Sequence, residues 1–427
     1  MTSPLRYLAR MSMSHRLRRM SGRDPHERNR ASTPLELLFD LAFVVSFSQV
    51  SAQTAHYLEL AQVGTALAGF AFTIFGAIWA WINYSWLASA YDTDDIYFRV
   101  ATLVEMIGVL VFALGVPPVF ASIEAGEHLD NSVIVAGYVI MRVATIALWL
   151  RAAHDDPQRR RTCLAYAINI AIAQVFWVAF IFVNLPIGPM FAVAGVLVLF
   201  ELLGPFFAES RFTPTPWHPH HIGERYGLLV IIGLGEVVLG VILTISAGVE
   251  EFGWSVESGL LAFGGASLAF GLWWIYFVIP WGELLTRNRG RSFSFGYLHY
   301  FVYAAIVGIG AGLHLAAQVI AHEAQVDAPF AVWWVVLPVL LYEVMLLGLY
   351  ALLVRRVDPF HVWLLSAAVA ALALAVVAVG LGASLGWALV VVACSPAVIV
   401  VGYETVGWRH GSEMMARLGP TGDCDAD

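Results

Sequence analysis

The sequence contains no lysine, only three cysteines and few charged residues of either sign. The cysteines, Cys163, Cys394 and Cys424, lack CxxC spacing, which argues against both a disulfide framework and a thiolate metal site. No other metal, cofactor or nucleic-acid motif is present, so no cofactor, metal or nucleic-acid partner is expected. Charged residues are 13% of the 427, hydrophobic residues are 59%, and mean hydropathy is +0.75. These values exclude an ordinary water-soluble globular protein.

Long hydrophobic runs occupy most of the chain and predict an all-α polytopic membrane protein. A transmembrane helix needs about 20 apolar residues to cross the hydrocarbon core. Twelve such helices are predicted, six on each side of a short polar linker. Their approximate ranges are 35–59, 66–90, 98–121, 132–151, 162–184, 189–208, 222–247, 258–281, 293–320, 330–354, 361–383 and 386–407.

The placement of arginine predicts how the chain is oriented. One set of connections carries arginine at 159–161, at 287, 289 and 291, and at 355–356, whereas the alternate set carries acids at 124, 127, 130, 250, 251 and 257 and no arginine. Basic loops stay in the cytoplasm, so both termini are expected there, with the protein in the bacterial inner membrane. The predicted divisions are a basic cytoplasmic tail (1–32), a first six-helix repeat (33–208), a cytoplasmic linker (209–221), a second repeat (222–408) and a cytoplasmic tail (409–427).

Two stretches of sequence repeat one pattern and indicate an internal duplication. They are TPLELLFDLAFVVSFSQ, Thr33–Gln49, and HIGERYGLLVIIGLGE, His221–Glu236. Each starts with polar residues, has an acid in its opening turn and carries another acid deep in an apolar run. Further along, Gly108 aligns with Gly308. An even number of spans per half gives both halves the same orientation, which predicts two parallel six-helix repeats.

Several motifs in order resemble the bacterial low-temperature-requirement A family. They are TPLELLFDLAFVVSFSQ, YDTDDIYFR, ERYGLLVIIGLGE, LWWIYF and the helix YLHY…GIGAG, and they cover essentially the whole membrane region. The resemblance implies an inner-membrane protein linked by name to growth in the cold, without a settled molecular activity. In the family the Trp-Trp-x-Tyr-Phe stretch usually continues into an acid, whereas Val278 follows it here.

Thr33 and Glu36 have the spacing of a capping box, so both are assigned a structural role at the start of the first helix. Asp40 lies one turn deeper on the same face, beyond the reach of the cap. Because a lipid-facing carboxylate costs several kcal/mol, Asp40 is expected to face the bundle interior, a water-filled cavity or a partner. The linker histidines at 218, 220 and 221 are expected in an interfacial turn.

Acids and one arginine at mid-membrane depth are the other candidate functional residues. Glu236 is about 16 Å along the helix from Arg225, too far for a direct pair. Arg142 requires an acidic partner, for which the sequence leaves three candidates open: Glu343, Glu105 or Glu236. The complete set predicted to form a polar path is Asp40, Glu105, Arg142, Glu201, Glu236, His299 and Glu343.

Three functions are compatible with this pattern. The preferred one is a transporter or channel for protons, small cations or small polar solutes, because carboxylates recur at similar depths in both halves. The second is an intramembrane enzyme acting on lipid or prenyl substrates, with a carboxylate or His299 as acid or base. The third is a non-transporting protein that supports the membrane in the cold. Membrane lipids are the expected partners, and the sequence leaves a homodimer open.

Overall fold

The computed structural model describes residues 17–25, 27, 30–126 and 128–407, and this part of the chain is helical without β-strands. The first seven α-helices are α1 (Pro34–Glu59), α2 (Val63–Tyr91), α3 (Ile96–Leu114), α4 (Val116–Ala125), α5 (Ser132–Asp155), α6 (Arg160–Ile181) and α7 (Ile187–Arg211). The next seven are α8 (Pro219–Phe252), α9 (Val256–Phe277), α10 (Trp281–Arg287), α11 (Ser292–Ile320), α12 (Ala328–Val354), α13 (Pro359–Gly380) and α14 (Leu385–Gly402).

Twelve segments of the described chain are long and apolar enough to cross a membrane, which confirms the predicted number of spans. Two of these segments contain a break. The third consists of α3 and α4, which are separated at Gly115 because Pro117 and Pro118 have no N–H to continue the helical ladder. The sequence predicted one uninterrupted span there. The eighth consists of α9 and α10, which are separated before Trp281 by Pro280.

The connections between spans lie on two faces of the bundle. The linker face is formed by residues 92–95, 156–159, 212–218, 288–291 and 355–358. The opposite face is formed by residues 60–62, 128–131, 182–186, 253–255, 321–327 and 381–384. The arginines used to predict the orientation therefore lie at or beside the linker face.

Helix α11 is the most enclosed span. In its span, 83% of the most apolar 18-residue stretch is buried inside the protein, compared with 28% for the spans of α7 and α13. It packs against α12, α8 and α1. Gly312 permits the closest approach to α12, because a Cβ at this position would lie 2.2 Å from the carbonyl oxygen of Trp334.

Helices α1 and α8, which begin the predicted halves, pack against each other and also against α2 and α11. Both begin with a proline in the first turn and a capping side chain just before it. Their polar residues therefore enter the bundle at equal depth from the linker face. Asp40 is six residues beyond Pro34, and Arg225 is six residues beyond Pro219.

The N-terminal segment packs onto the linker face over its described residues. Met20 is fully buried, and the backbone N–H of Arg23 donates to the carbonyl of Ala90. Arg30 is buried, and its guanidinium donates to the carbonyls of Ala88 and Ser89 at 2.7 and 2.5 Å. The described residues of the segment predicted as a basic cytoplasmic tail are therefore in contact with the bundle, and the division at residue 32 stays a prediction. Residues 1–16 and the predicted C-terminal tail lie outside the described residues.

Candidate functional site

The Asp40–Arg225 pair joins α1 to α8 in the interior of the bundle. Both side chains are fully buried, and their closest atoms are 2.6 Å apart. Asp40 also accepts a hydrogen bond from the indole N–H of Trp81 at 2.7 Å, and Arg225 donates to the hydroxyl of Ser85 at 3.2 Å. Arg225 was considered in the sequence only as a partner for Glu236. The position of both residues six places beyond a first-turn proline is the sequence signal that could have identified this pair.

Glu36 makes two sets of contacts where α1 and α8 meet near the linker face. The capping box is present, with the Thr33 N–H donating to Glu36 at 2.8 Å and the Glu36 N–H donating to the Thr33 hydroxyl at 3.2 Å. The Glu36 carboxylate also lies 3.2 Å from Nε2 of His221, and both side chains are fully buried. Since His221 lies in the first turn of α8 and inside the bundle, its predicted place in an interfacial turn is wrong.

Arg142 pairs with Glu201, which corrects the prediction of Glu343, Glu105 or Glu236 as its partner. Nη2 of Arg142 lies 2.9 Å from Oε2 of Glu201, with both side chains buried. Glu201 also accepts hydrogen bonds, each 2.7 Å long, from Trp79, Tyr138 and Trp177. The pairing was missed because Glu201 lies on α7, and helix order along the chain does not reveal which helices converge.

Three other buried glutamates bind neighbouring hydroxyl groups, and no described residue forms a salt bridge with them. Thr145 donates to Glu105 at 3.0 Å. The Ser395 hydroxyl lies 2.8 and 2.9 Å from the two carboxylate oxygens of Glu343. Ser48 of α1 donates to Oε1 of Glu236 on α8, while Oε2 of Glu236 is buried without a partner among the described residues. Glu236 is the one of these three that lies between the predicted halves.

His299 is enclosed by protein on all sides. Its Nε2 lies 3.1 Å from the Tyr276 hydroxyl, and its Nδ1 lies 2.8 Å from the carbonyl oxygen of Phe295. The rings of Tyr226 and Trp281 pack against it. Because both nitrogens are engaged and the side chain has no exposed surface, this geometry does not favour His299 as the acid or base of an intramembrane enzyme.

Two carboxylates in the 92–95 loop have contrasting electrostatic surroundings at the linker face. Burial, reinforced by the nearby Glu36 carboxylate, raises the pKa of Asp92 to about 6. Burial also acts to raise the pKa of Asp95, but hydrogen bonds from Arg151 and from the backbone N–H groups of Phe98 and Arg18 outweigh it. The pKa of Asp95 is consequently held below its usual range.

Two cavities lie on either side of the Arg142–Glu201 pair. One opens toward the linker face and is bounded by aromatic residues including Trp79, Trp217 and Tyr297. The other lies toward the opposite face and is bounded mainly by apolar side chains together with Tyr138 and Trp177. The hydrogen-bond donors to Glu201 therefore form the partition between the cavities. Within the described residues, no group of three or more histidine, cysteine or acidic side chains could hold a metal.

Comparison with known proteins gives two matches. A family profile described as bacterial low temperature requirement A protein (LtrA) matches residues 31–396, which is most of the chain. The chain is also similar to an uncharacterized protein of Rhizobium meliloti (strain 1021), with 25% identity over 259 residues. That alignment covers 59% of this chain and 59% of the relative.

Proposed function

This chain belongs to the bacterial low-temperature-requirement A family of membrane proteins, and from that premise we propose that it moves protons or small cations across the membrane, with Glu236 as the ion-carrying residue. The observation that carries the proposal is the setting of Glu236. It is a carboxylate near mid-membrane that is 1% exposed and has a single hydroxyl group as its hydrogen-bond partner among the described residues.

The charge of Glu236 is not compensated as those of Asp40 and Glu201 are. Each of those carboxylates has a buried arginine within 3 Å, whereas no described residue forms a salt bridge with Glu236. An uncompensated carboxylate at this depth costs several kcal/mol. A bound proton or small cation removes that cost, so reversible binding of such an ion is the chemistry that this position supports.

The Ser51 hydroxyl of α1 lies near Glu236 and is buried without a partner among the described residues. One turn further along α8, near Gly240, Nε2 of His314 on α11 is also buried without a partner among them. Gly310 of α11 lies between Glu236 and Ser51. A Cβ at this position would lie 3.1 Å from Cβ of Glu236 and 3.2 Å from the Ser51 hydroxyl. Carboxylate and hydroxyl oxygens are the ligands that hard cations prefer.

The polar character of α1 gives the proposed path a direction. From the middle of the membrane to the opposite face, α1 carries a series of polar residues, Ser46, Ser48, Gln49, Ser51, Gln53 and Thr54. Toward the linker face, Phe43 is buried between Asp40 and the first of these residues, and Phe47 is buried beside Ser46 and Ser48. The apolar layer separates Glu236 from the Asp40–Arg225 pair. We therefore infer that this conformation is closed toward the linker face.

The test is ion flux in liposomes containing the purified protein. Proton flux is followed with an internal pH-sensitive dye under a potassium diffusion potential, and sodium and potassium flux with ion-sensitive dyes. Glu236→Gln should abolish the protein-dependent flux. The matched control is Glu343→Gln, because Glu343 is equally buried but both its oxygens bind Ser395. This control should retain most of the flux.

Two results would contradict the proposal. The first is a Glu236→Gln protein that conducts as well as the native chain, which would remove Glu236 from the path. The second is native protein that gives no flux of protons, sodium or potassium above that of protein-free liposomes. That result would favour a protein that supports the membrane through lipid contacts alone.

A further inference from the structure

Glu201 lies within a cage of hydrogen-bond donors contributed by three helices. We define the Glu201 cage as Trp79 of α2, Tyr138 and Arg142 of α5 and Trp177 of α6. Trp79, Tyr138 and Arg142 all donate to Oε2, and Trp177 donates to Oε1. Arg142 also lies over the ring of Tyr138, with 4.7 Å between the guanidinium carbon and the ring centroid. The cage therefore recognises one carboxylate with several donors at once.

The chemistry of the cage suits an anion, because every group that faces the Glu201 carboxylate is a hydrogen-bond donor and one of them is a guanidinium. Three of the donors share Oε2 and one binds Oε1. Arg142 retains unused capacity, because its Nε and Nη1 are buried without a partner among the described residues. A guanidinium with free N–H groups can hold a second carboxylate oxygen in bidentate geometry.

Side chains of the cage line cavities on two sides of it. Trp79 forms part of the wall of the aromatic cavity on the linker side. Tyr138 and Trp177 form part of the wall of the cavity on the opposite side. A small molecule in either cavity would therefore lie one side chain away from the Glu201 carboxylate.

The backbone of α7 is weakened at Glu201 itself. Pro205 lies inside α7, four residues after Glu201. In an α-helix the N–H at position 205 would donate to the carbonyl of residue 201, and proline has no N–H. The span formed by α7 is as a whole one of the least buried, with 28% of its most apolar 18-residue stretch buried. Movement of this part of α7 can therefore withdraw Glu201 without breaking a backbone hydrogen bond at that carbonyl.

We propose that the Glu201 cage is a binding site for small carboxylate anions, which Glu201 occupies as a tethered ligand in this conformation. A free carboxylate that enters from either cavity takes the place of the Glu201 side chain on Arg142, Trp79, Tyr138 and Trp177. Binding at this site does not depend on the role proposed for Glu236, which lies between other helices.

The experiment is chemical rescue with acetate as the probe. Melting temperatures of the native chain and of Glu201→Ala are measured in detergent, in sodium acetate and in sodium chloride of equal ionic strength. Removal of the tethered competitor should expose the cage, so Glu201→Ala should be destabilised in chloride and recover in acetate. Its affinity for acetate, read from tryptophan fluorescence, should exceed that of the native chain by at least about tenfold.

The control is the double variant Arg142→Leu/Glu201→Leu, which replaces the buried pair with apolar side chains of the kind that such sites tolerate. It should fold and show no specific effect of acetate. The proposal is overturned if acetate stabilises Glu201→Ala no more than chloride does, or if the double variant responds to acetate equally. If Glu201→Ala does not fold in either salt, Glu201→Gln decides. Tighter acetate binding than in the native chain supports the site, and unchanged binding rejects it.

Discussion

At the scale of single residues, the buried carboxylates of this protein are of two kinds, which differ in their partners. Asp40 and Glu201 each have an arginine from a different helix. Glu105, Glu236 and Glu343 have hydroxyl partners. The first kind holds helices together through charge, because removing either partner would leave an uncompensated ion. The second kind carries no fixed counter-charge, and this is why we place ion exchange at Glu236 and not at Asp40.

The Asp40–Arg225 pair should behave as one unit in stability measurements. Asp40→Leu or Arg225→Met alone should lower the free energy of unfolding by roughly 3–5 kcal/mol, because each leaves a buried charge without its partner. The double variant should recover a large part of that loss. Unfolding of the purified protein in detergent measures the effect. Additive losses in the double variant would show that the two charges do not compensate each other.

Asp92 should make the protein more stable as the pH falls from 7 toward 4. Burial raises the pKa of Asp92 to about 6, whereas in the unfolded chain the pKa of an aspartate is near its ordinary value of about 3.9. The folded state therefore binds a proton between these values and gains stability on acidification. Asp92→Asn should abolish this gain in stability on acidification. Melting temperatures measured at a series of pH values between 7 and 4 test the prediction.

Asp94 in the same loop, which is only partly buried and pairs with Arg99, provides the control for Asp92. Asp94→Asn should leave the rise between pH 7 and pH 4 in place. Asp95 acts in the opposite sense, because its pKa is held below the usual range in the folded state. The stability it contributes is present above about pH 4 and is lost as the pH falls further. A rise that persists in Asp92→Asn would assign the effect to another group.

At the scale of helices, close approach at glycine decides which pairs pack tightly. Gly312 brings α11 against the backbone of α12. Gly137 does the same between α5 and α3, where a Cβ would lie 2.3 Å from the backbone nitrogen of Phe112. Backbone atoms cannot rotate away as a side chain can, so these contacts depend on the absence of a Cβ. Small residues at helix interfaces are the usual means of association in membranes.

Gly312→Ala should destabilise the protein, whereas Gly235→Ala should not. The Gly312 variant has to separate α11 from α12, at a cost on the order of 1–3 kcal/mol for an overpacked contact. A Cβ at Gly235 of α8 meets no atom within 4 Å, and alanine is the better helix former by up to about 1 kcal/mol. Melting temperatures of both variants in detergent measure the difference. Equal destabilisation would mean that helix packing at Gly312 is looser than described.

At the scale of the whole molecule, the predicted halves differ in how their last helix packs. In the second half α14 lies along α9, and a Cβ at Gly264 or Gly271 would collide with Leu389 or Pro396. In the first half α7 packs mainly along α6, and both cavities extend between α2 and α7. The parallel repeat itself stays a prediction. If the repeat is present, its two copies are in different conformations. The copy with cavities between its helices is the first half, and it contains the Glu201 cage.

Labelling of single cysteines should place the linker face in the cytoplasm. In a variant with the three native cysteines replaced by alanine, exposed Gln158 of the linker face and exposed Gln325 of the opposite face are changed to cysteine, one at a time. A membrane-impermeant thiol reagent should label Gln158→Cys only in inside-out vesicles, and Gln325→Cys only in right-side-out vesicles. The reverse pattern would invert the predicted orientation.

The sequence by itself determined the helical class, the number of spans and the family, because these follow from the length and composition of apolar runs and from ordered motifs. It also identified the ionisable residues at membrane depth, since such residues are conspicuous in apolar surroundings. Only the tertiary structure decided the partners. Arg142 meets Glu201, and Asp40 meets Arg225, because helices distant in sequence converge in space. Hydrophobic periodicity reports that a helix has an inner face, but it does not report which helix lies opposite that face.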